Sequence, residues 1–228
     1  MSFSLLDLIF PKRCAGCGKF GSYLCTRCQA KQPRHWAKIC PVCEKSAIGG
    51  NTHPGCMTEL SLDGSTFVFE YKPPVSVLLK QLKYRFGREI LPILTSWTTA
   101  ELKRIQGLPR RATFIPIPLH EYRYNWRGFN QAEELGREIA SKMGWEFRND
   151  ILVRHRFTKP QTEVRREEKR LSNVRGIFSI SPSVQVTQLP GNLVVFDDVW
   201  TTGATIKEAG KVLKEAGAKK VWGLAIAR

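Results

Sequence analysis

The sequence predicts an α/β fold with a doubly wound, mainly parallel sheet, preceded by a small metal-binding domain. Strand-like and helical segments alternate through most of the 228-residue chain, which is typical of parallel sheets joined by right-handed crossovers. All seven cysteines lie between Cys14 and Cys56. Near the C-terminus, a run of four apolar residues leads directly into two aspartates, as at the end of a strand buried on both faces.

The cysteine distribution predicts a domain boundary near Asp63. Residues 1–62 would form the metal-binding domain and residues 63–228 the α/β domain. The apolar segment before Pro11 carries Asp7 and is too short for a secretory signal, so we expect a short docked helix there. No stretch approaches the roughly 20 apolar residues of a membrane span. We therefore expect a cytoplasmic protein.

The cysteines occur in pairs three positions apart, and a half-pair of one histidine and one cysteine completes the set. Two side chains at this spacing on a tight turn can face one metal ion. Eight ligands suffice for two tetrahedral zinc sites, which would be structural because no position stays open for water. A sequential pairing closes the shorter loops, and a cross-braced pairing of the first cysteine pair with the third is the alternative. The predicted ligands are Cys14, Cys17, Cys25, Cys28, Cys40, Cys43, His53 and Cys56.

The second domain reads as follows. We predict a strand or half-hairpin at 65–71, a helix at 75–86, a strand at 112–118 and a helix at 132–143. Two further strands follow at 150–155 and 174–180. A buried strand at 193–196 then precedes a helix at 204–216, which ends at Gly217 as a plausible C-cap, and a last buried strand covers 220–227.

The segment from Asn192 to Thr205, NLVVFDDVWTTGAT, holds the candidate ligand site. In parallel sheets, ligands bind beyond the carboxyl ends of the strands, where Asp197 and Asp198 are expected. The turn at 201–205 leads into a helix, whose N-terminus favours a phosphate. A ribose 5-phosphate satisfies both features, with its hydroxyls on the carboxylates and its phosphate in the turn. The P-loop and dinucleotide-binding patterns do not occur.

This segment resembles the phosphoribosyl pyrophosphate (PRPP) signature of type I phosphoribosyltransferases. Together with the cysteine pairs, RGFNQ at 127–131 and KPQT at 159–162, it resembles the ComF family of competence-associated proteins over almost the full length. The resemblance implies a double zinc ribbon joined to a type I phosphoribosyltransferase-like domain. It also implies a role in DNA uptake and natural transformation.

The resemblance also implies residue roles. Asp197 and Asp198 would hold the ribose hydroxyls and Mg²⁺, and Thr201, Thr202, Gly203, Ala204 and Thr205 would hold the 5-phosphate. Arg123 and Arg127 are candidates for pyrophosphate, with anchoring of the local loop as the alternative for Arg127. Arg165 and Arg170 lie in a segment that matches a mobile hood over PRPP; a solvated helix with charge pairs is the alternative. Relatives that act on 6-oxopurines carry an acid where Thr201 stands, which argues against ordinary purine salvage.

The chain carries 36 Lys and Arg against 20 Asp and Glu, a net charge of +16. Such a charge favours an anionic partner, and single-stranded DNA fits the basic segments. Two functions follow. The protein is a phosphoribosyltransferase of unidentified acceptor, or it is a non-catalytic PRPP sensor or single-stranded DNA-binding protein that works with DNA-uptake or recombination proteins.

Overall fold

A computed structural model describes residues 11–32, 38–82, 87–119, 128–155, 176–189 and 191–228. The second domain is built on a five-stranded sheet in which all neighbouring strands run parallel. Its strand order is β1-β7-β6-β2-β3, and a separate antiparallel pair joins β4 to β5. The strands are β1 (Gly64–Phe69), β2 (Thr113–Pro116), β3 (Glu146–Phe147), β4 (Leu152–Arg154), β5 (Phe178–Ile180), β6 (Asn192–Val199) and β7 (Lys220–Ala227).

Helices cover both faces of this sheet, and each face has its own apolar core. The described helices are α1 (Thr26–Lys31), α2 (Val75–Gln81), α3 (Gly87–Leu102), α4 (Gln131–Met143) and α5 (Ala204–Glu215). On one face, α2, α3 and α4 bury side chains such as Leu79, Leu94 and Leu135 against Phe196. On the other face, α5 and the β4–β5 pair pack against the opposite side of β6.

The parallel sheet with two covered faces confirms the predicted doubly wound α/β fold. The first predicted strand pairs in parallel with β7, so the half-hairpin alternative is wrong. The helix predicted at 75–86 ends at Gln81, and residues 83–86 lie outside the described residues. The predicted N-terminal helix also lies outside them.

The long helix α3 was not predicted from the sequence. Pro92 lies inside it, and proline and β-branched residues disfavour helices. Ile90, Leu94 and Trp97 nevertheless follow one another at helical spacing and are buried in the core. Burial of this apolar stripe outweighs the poor local propensity.

The cysteine-rich domain packs against the sheet rather than standing apart from it. Leu24 joins the core beside α2 and α3, and Asn51 forms a β-bridge with Gly64 at the start of β1. We keep the boundary at residue 63 as a proposal. Within the described ranges, no helix is both long and apolar enough to span a bilayer.

Candidate ligand site and metal centres

The first metal centre consists of four cysteines from one stretch of chain. Cys14 Sγ lies 3.6 Å from Cys25 Sγ, and Cys17 Sγ lies 3.8 Å from the same atom. Zinc–sulfur bonds of about 2.3 Å in a tetrahedron require sulfur separations of about 3.8 Å. Cys28 completes a cluster whose ligand atoms all lie within 4.8 Å of one another.

The second centre has three cysteines and one histidine: Cys40, Cys43, His53 and Cys56. His53 Nδ1 lies 3.3 Å from Cys43 Sγ and faces the cluster. His53 Nε2 lies 2.9 Å from the carbonyl oxygen of Ser46 and is placed to donate to it. That hydrogen bond leaves Nδ1 unprotonated and free to bind a metal, which is the usual arrangement of a histidine ligand.

The thiols of each cluster cannot all ionise without a cation. Burial opposes ionisation of Cys14 and Cys40, but surrounding backbone amides hold the pKa of each at about 6. Hydrogen bonding to Cys25 is the main cause that raises the pKa of Cys28 to about 12. The pKa of Cys56 rises to about 11 for a similar reason. A divalent cation relieves this competition by binding all the ligands in their deprotonated form.

The two clusters confirm the sequential arrangement of the ligand pairs, and the cross-braced alternative is wrong. Each cluster offers four protein ligands of the soft sulfur and nitrogen type, and this set fits structural zinc.

The candidate ligand site lies at the carboxyl edge of the parallel sheet. Asp197 and Asp198 lie near the carboxyl end of β6, where Asp197 is paired with Ala225 of β7. Neighbouring residues of a strand point to opposite faces. The two carboxyl groups nevertheless lie close together at this edge, because, after burial, the charge of Asp198 and a hydrogen bond between the two side chains raise the pKa of Asp197.

The charges around the two acids differ. Burial, and then the charge of Asp198, raise the pKa of Asp197 well above its usual range. The backbone N–H of Asp198 donates to Asp197 Oδ1 at 2.8 Å, and Arg154 also favours the ionised form, but neither offsets the burial. Burial and the charge of Asp198 raise the pKa of Tyr71, which follows β1. The acid pair thus has a member, half-buried in the folded chain, that resists ionisation, and an arginine nearby.

The turn after β6 is shaped by one glycine. Gly203 has φ 68°, a left-handed conformation that glycine adopts without strain. A Cβ atom there would lie 2.1 Å from the ring of Trp200, which is fully buried. Gly203 is the N-cap of α5, and the N–H of Lys207 donates to its carbonyl oxygen at 2.8 Å.

Small side chains line the start of α5. Thr202 and Ala204 are buried, Thr205 is half-buried and Thr201 is exposed. The N–H of Ala204 reaches Thr202 Oγ1 at 3.4 Å. The first N–H groups of a helix carry partial positive charge. The turn and helix therefore offer the backbone donors that an anion needs, in the segment of chain that follows the two carboxylates.

Four of the predicted site residues cannot be placed. Arg123, Arg127, Arg165 and Arg170 lie outside the described residues, and their roles stay predictions.

Two residues of the RGFNQ motif have structural roles. Asn130 caps α4 by accepting from the N–H of Ala132, and its amide donates to the carbonyl oxygen of Ile117, just beyond β2. The Gln131 amide donates to the carbonyl oxygen of Leu79 in α2. These contacts fix one end of the segment that follows β2.

Sequence reasoning missed Tyr71, Arg154 and Arg228, which the structure brings to the same edge. Arg228 follows β7 and Tyr71 follows β1, and the N–H of Tyr71 donates to the carbonyl oxygen of Arg228 at 2.7 Å. The predicted parallel sheet could have identified Tyr71 and Arg228, because the residues that follow parallel strands all lie at the same edge of the sheet. Glu44, which follows Cys43 in the second metal centre, contacts Lys207 and Arg228. No comparable signal in the sequence predicts these contacts.

Comparisons with known proteins agree with this organisation. Residues 5–57 match the family model of the double zinc ribbon domain. The chain is 29% identical over 220 residues to competence protein F of Haemophilus influenzae, covering 93% of this chain and 89% of that one. It is 30% identical over 207 residues to the DNA utilization protein YhgH of Salmonella typhi, covering 87% of each. A solved adenine phosphoribosyltransferase from Leishmania donovani overlaps at a TM-score of 0.38 with 12% identity, covering 71% of this chain and 70% of that one; so loose an alignment carries no weight for fold or function.

Proposed function

The chain belongs to the ComF family of competence and DNA utilization proteins, and we propose that it binds PRPP with Mg²⁺ at the carboxyl edge of its sheet. One observation carries this proposal: the acid pair of β6 runs directly into the glycine turn that opens α5. The names of its relatives support a role in the uptake and use of DNA.

Each part of PRPP has a chemical counterpart at this edge. Asp197 and Asp198 would accept hydrogen bonds from the ribose 2- and 3-hydroxyls, since carboxylates are strong acceptors. The turn at 201–205 would hold the 5-phosphate through backbone N–H groups and threonine hydroxyls. Mg²⁺ would neutralise charge on the pyrophosphate, and the acids would contact the ion, partly through water. Arg123, Arg127, Arg165 and Arg170 are the proposed partners of the pyrophosphate.

Transfer of the phosphoribosyl group is the reaction that this ligand permits. The protein would contribute positioning and charge stabilisation rather than a covalent intermediate. A PRPP sensor would use the same pocket without turnover. Release of pyrophosphate in the presence of cell extract, followed by identification of the ribosylated product, separates the two.

Calorimetry with Mg-PRPP tests the proposal. We expect saturable binding to the wild-type protein and a loss of at least about tenfold in affinity in Asp197→Asn combined with Asp198→Asn, because each charge-assisted hydrogen bond contributes about 1.5–3 kcal/mol. Glu215→Gln, at the far end of α5, serves as the control and should bind normally. Absence of binding to the wild type at millimolar PRPP would contradict the proposal.

We propose single-stranded DNA binding as a second function, favoured by a feature of the first zinc ribbon. Phe20 is 64% exposed, and the guanidinium of Arg13 lies 4.3 Å from the centroid of its ring. An exposed ring beside cations suits a nucleic acid whose bases stack and whose phosphates need neutralising. The net charge of +16 favours the same partner.

A further inference from the structure

Each metal centre begins with a turn between two cysteines, Cys14 and Cys17 in the first centre and Cys40 and Cys43 in the second. These two turns, the first and second zinc knuckles, differ at the residue that follows their second cysteine. In the first knuckle this residue is Gly18, with φ 73°, and its N–H donates to the carbonyl oxygen of Cys14 at 2.8 Å. In the second it is Glu44, with φ 59°, and its N–H donates to the carbonyl oxygen of Cys40 at 2.9 Å. Glu44 is the one non-glycine residue with positive φ among those described. A side chain in this conformation costs free energy and persists where the surrounding structure requires it.

The Glu44 side chain reaches across to the second domain. Its Oε1 lies 3.3 Å from Lys207 Nζ, and its Oε2 lies 2.6 Å from Arg228 Nη2. Lys207 is in the first turn of α5, and Arg228 follows β7. A single carboxylate from the zinc knuckle thus holds one cation from each of two elements at the proposed ligand site.

A chain of contacts leads from this carboxylate to the phosphate turn. Lys207 Nζ lies 5.6 Å from the centroid of the Trp200 ring, and Trp200 packs edge-on against Phe67 with 4.9 Å between centroids. The guanidinium of Arg228 lies 5.8 Å from the Phe67 centroid. Trp200 is also the ring that leaves no room for a Cβ at Gly203. Both cations therefore sit over the aromatic pair that supports the turn.

We propose that Glu44 is a positioning residue for the PRPP site. Held in place by the zinc knuckle, it keeps Lys207 and Arg228 over the aromatic pair and so fixes the start of α5. The ligand part of this inference rests on the proposed function, whereas the effect on α5 does not. Because linkage is reciprocal, zinc in the second centre should raise the affinity for PRPP, and bound PRPP should raise the affinity of that centre for zinc by the same factor.

The variant Glu44→Gly gives the sharpest test, because it supplies the residue of the first knuckle and removes the carboxylate. We expect two zinc ions per chain, as in the wild type, since the knuckle turn favours glycine. Hydrogen exchange of the Lys207 amide, which bonds to Gly203, should accelerate by about two- to fivefold without ligand. Affinity for Mg-PRPP should fall by about fivefold, and PRPP should no longer raise the zinc affinity of the second centre, as measured by equilibrium competition with a chelator.

Two further variants keep the test decisive. Glu44→Gln removes the charge and keeps the side-chain length, so it serves as the test variant if Glu44→Gly loses zinc. In the double variant that combines Glu44→Gln with Lys207→Met, the effect on hydrogen exchange should not be the sum of the two separate effects. Glu215→Gln removes a carboxylate charge at the other end of α5 and should change neither the exchange of the Lys207 amide nor the affinity for Mg-PRPP. Unchanged Lys207 exchange in zinc-loaded Glu44→Gly, or additive effects in the double variant, would overturn the positioning role. If the wild type binds no PRPP, the proposed function fails while the exchange result still decides this inference.

Discussion

The surroundings of Asp197 oppose the ionised state that its proposed role requires. Its pKa is raised first by burial and then by Asp198, so the folded protein disfavours the ionised form that a cation or a sugar hydroxyl requires. Adjacent acids at a buried strand end are costly, and such cost is commonly found at functional sites. The acid pair was predictable from the sequence because it follows an apolar run. Its neighbours Arg154 and Tyr71 were not, because they come from distant parts of the chain.

The pKa of Asp197 predicts a stability effect in the ligand-free protein. A carboxyl whose folded pKa is raised costs stability as pH climbs from its unfolded pKa through its folded pKa. Asp197→Asn should therefore become increasingly more stable than the wild type as pH rises from 4 to 8, by about 2–4 °C in Tm for each kcal/mol regained. Thermal unfolding across this range measures the difference between the two proteins.

Asp150 provides the control of opposite sign. A hydrogen bond from Arg148 lowers its pKa, so its contribution is present above the unfolded pKa and is lost as pH falls. Asp150→Asn should be less stable than the wild type at neutral pH, and the gap should close in acid. If both variants shift in the same direction, the assignment of charge at Asp197 is wrong.

Gly203 gives a second prediction at this scale. Gly203→Ala forces a Cβ into the Trp200 ring and a left-handed backbone onto alanine. We expect a loss of about 2–4 kcal/mol of unfolding free energy, from combined overpacking and backbone strain, measured by urea unfolding. Gly144→Ala is the matched control, since Gly144 has φ 71° and nothing within 4 Å of its Cβ position. Equal losses in the two variants would show that the contact with Trp200 does not matter.

At the scale of elements, the strands that form the site were predictable and their partners were less so. The continuous apolar runs of β6 and β7 are typical of central parallel strands, and the structure places them side by side. The strands at β4 and β5 were also predicted, but not that, among the described strands, they pair with each other and stay apart from the main sheet. Strand pairing depends on contacts between residues far apart in the sequence, and local sequence patterns do not report these contacts.

The zinc ribbons give a prediction for elements whose described residues bury few apolar side chains of their own. Short ribbons with few buried apolar residues depend on metal for folding. We expect elemental analysis to find two zinc ions per chain in the wild type and one in Cys56→Ser. In this variant the second centre should lose its zinc while the first centre keeps its own, since the two clusters share no ligand. One zinc or none in the wild type would contradict the eight-ligand assignment.

At the scale of the whole molecule, the sequence predicted two parts but not how they meet. The carboxylate of Glu44 joins the second zinc knuckle to Lys207 of α5 and to Arg228, which follows β7. A glutamate beside a cysteine pair is an ordinary surface residue by sequence alone. Only its φ of 59° and its two cationic partners distinguish it, and both appear in the folded chain alone.

The net charge of +16 predicts how DNA binding should respond to salt. Binding of a single-stranded oligonucleotide should weaken with a log–log slope of about −0.7 for each phosphate contacted, because bound counterions are released. Fluorescence anisotropy between 50 and 200 mM salt measures this slope. Phe20→Ser should weaken binding at every salt concentration without changing the slope, since it removes stacking and no charge. A flat salt response would contradict the proposed backbone contacts.

The central claim is that one pocket holds both ends of the ribose 5-phosphate moiety. A crystal structure of the protein with Mg-PRPP tests it most directly. We predict the ribose 2- and 3-hydroxyl oxygens within about 3.2 Å of the carboxylates of Asp197 and Asp198, and the 5-phosphate at the N-terminus of α5 beside Gly203. PRPP bound away from this edge, or carboxylates directed into the core with the turn closed by packed side chains, would contradict the account.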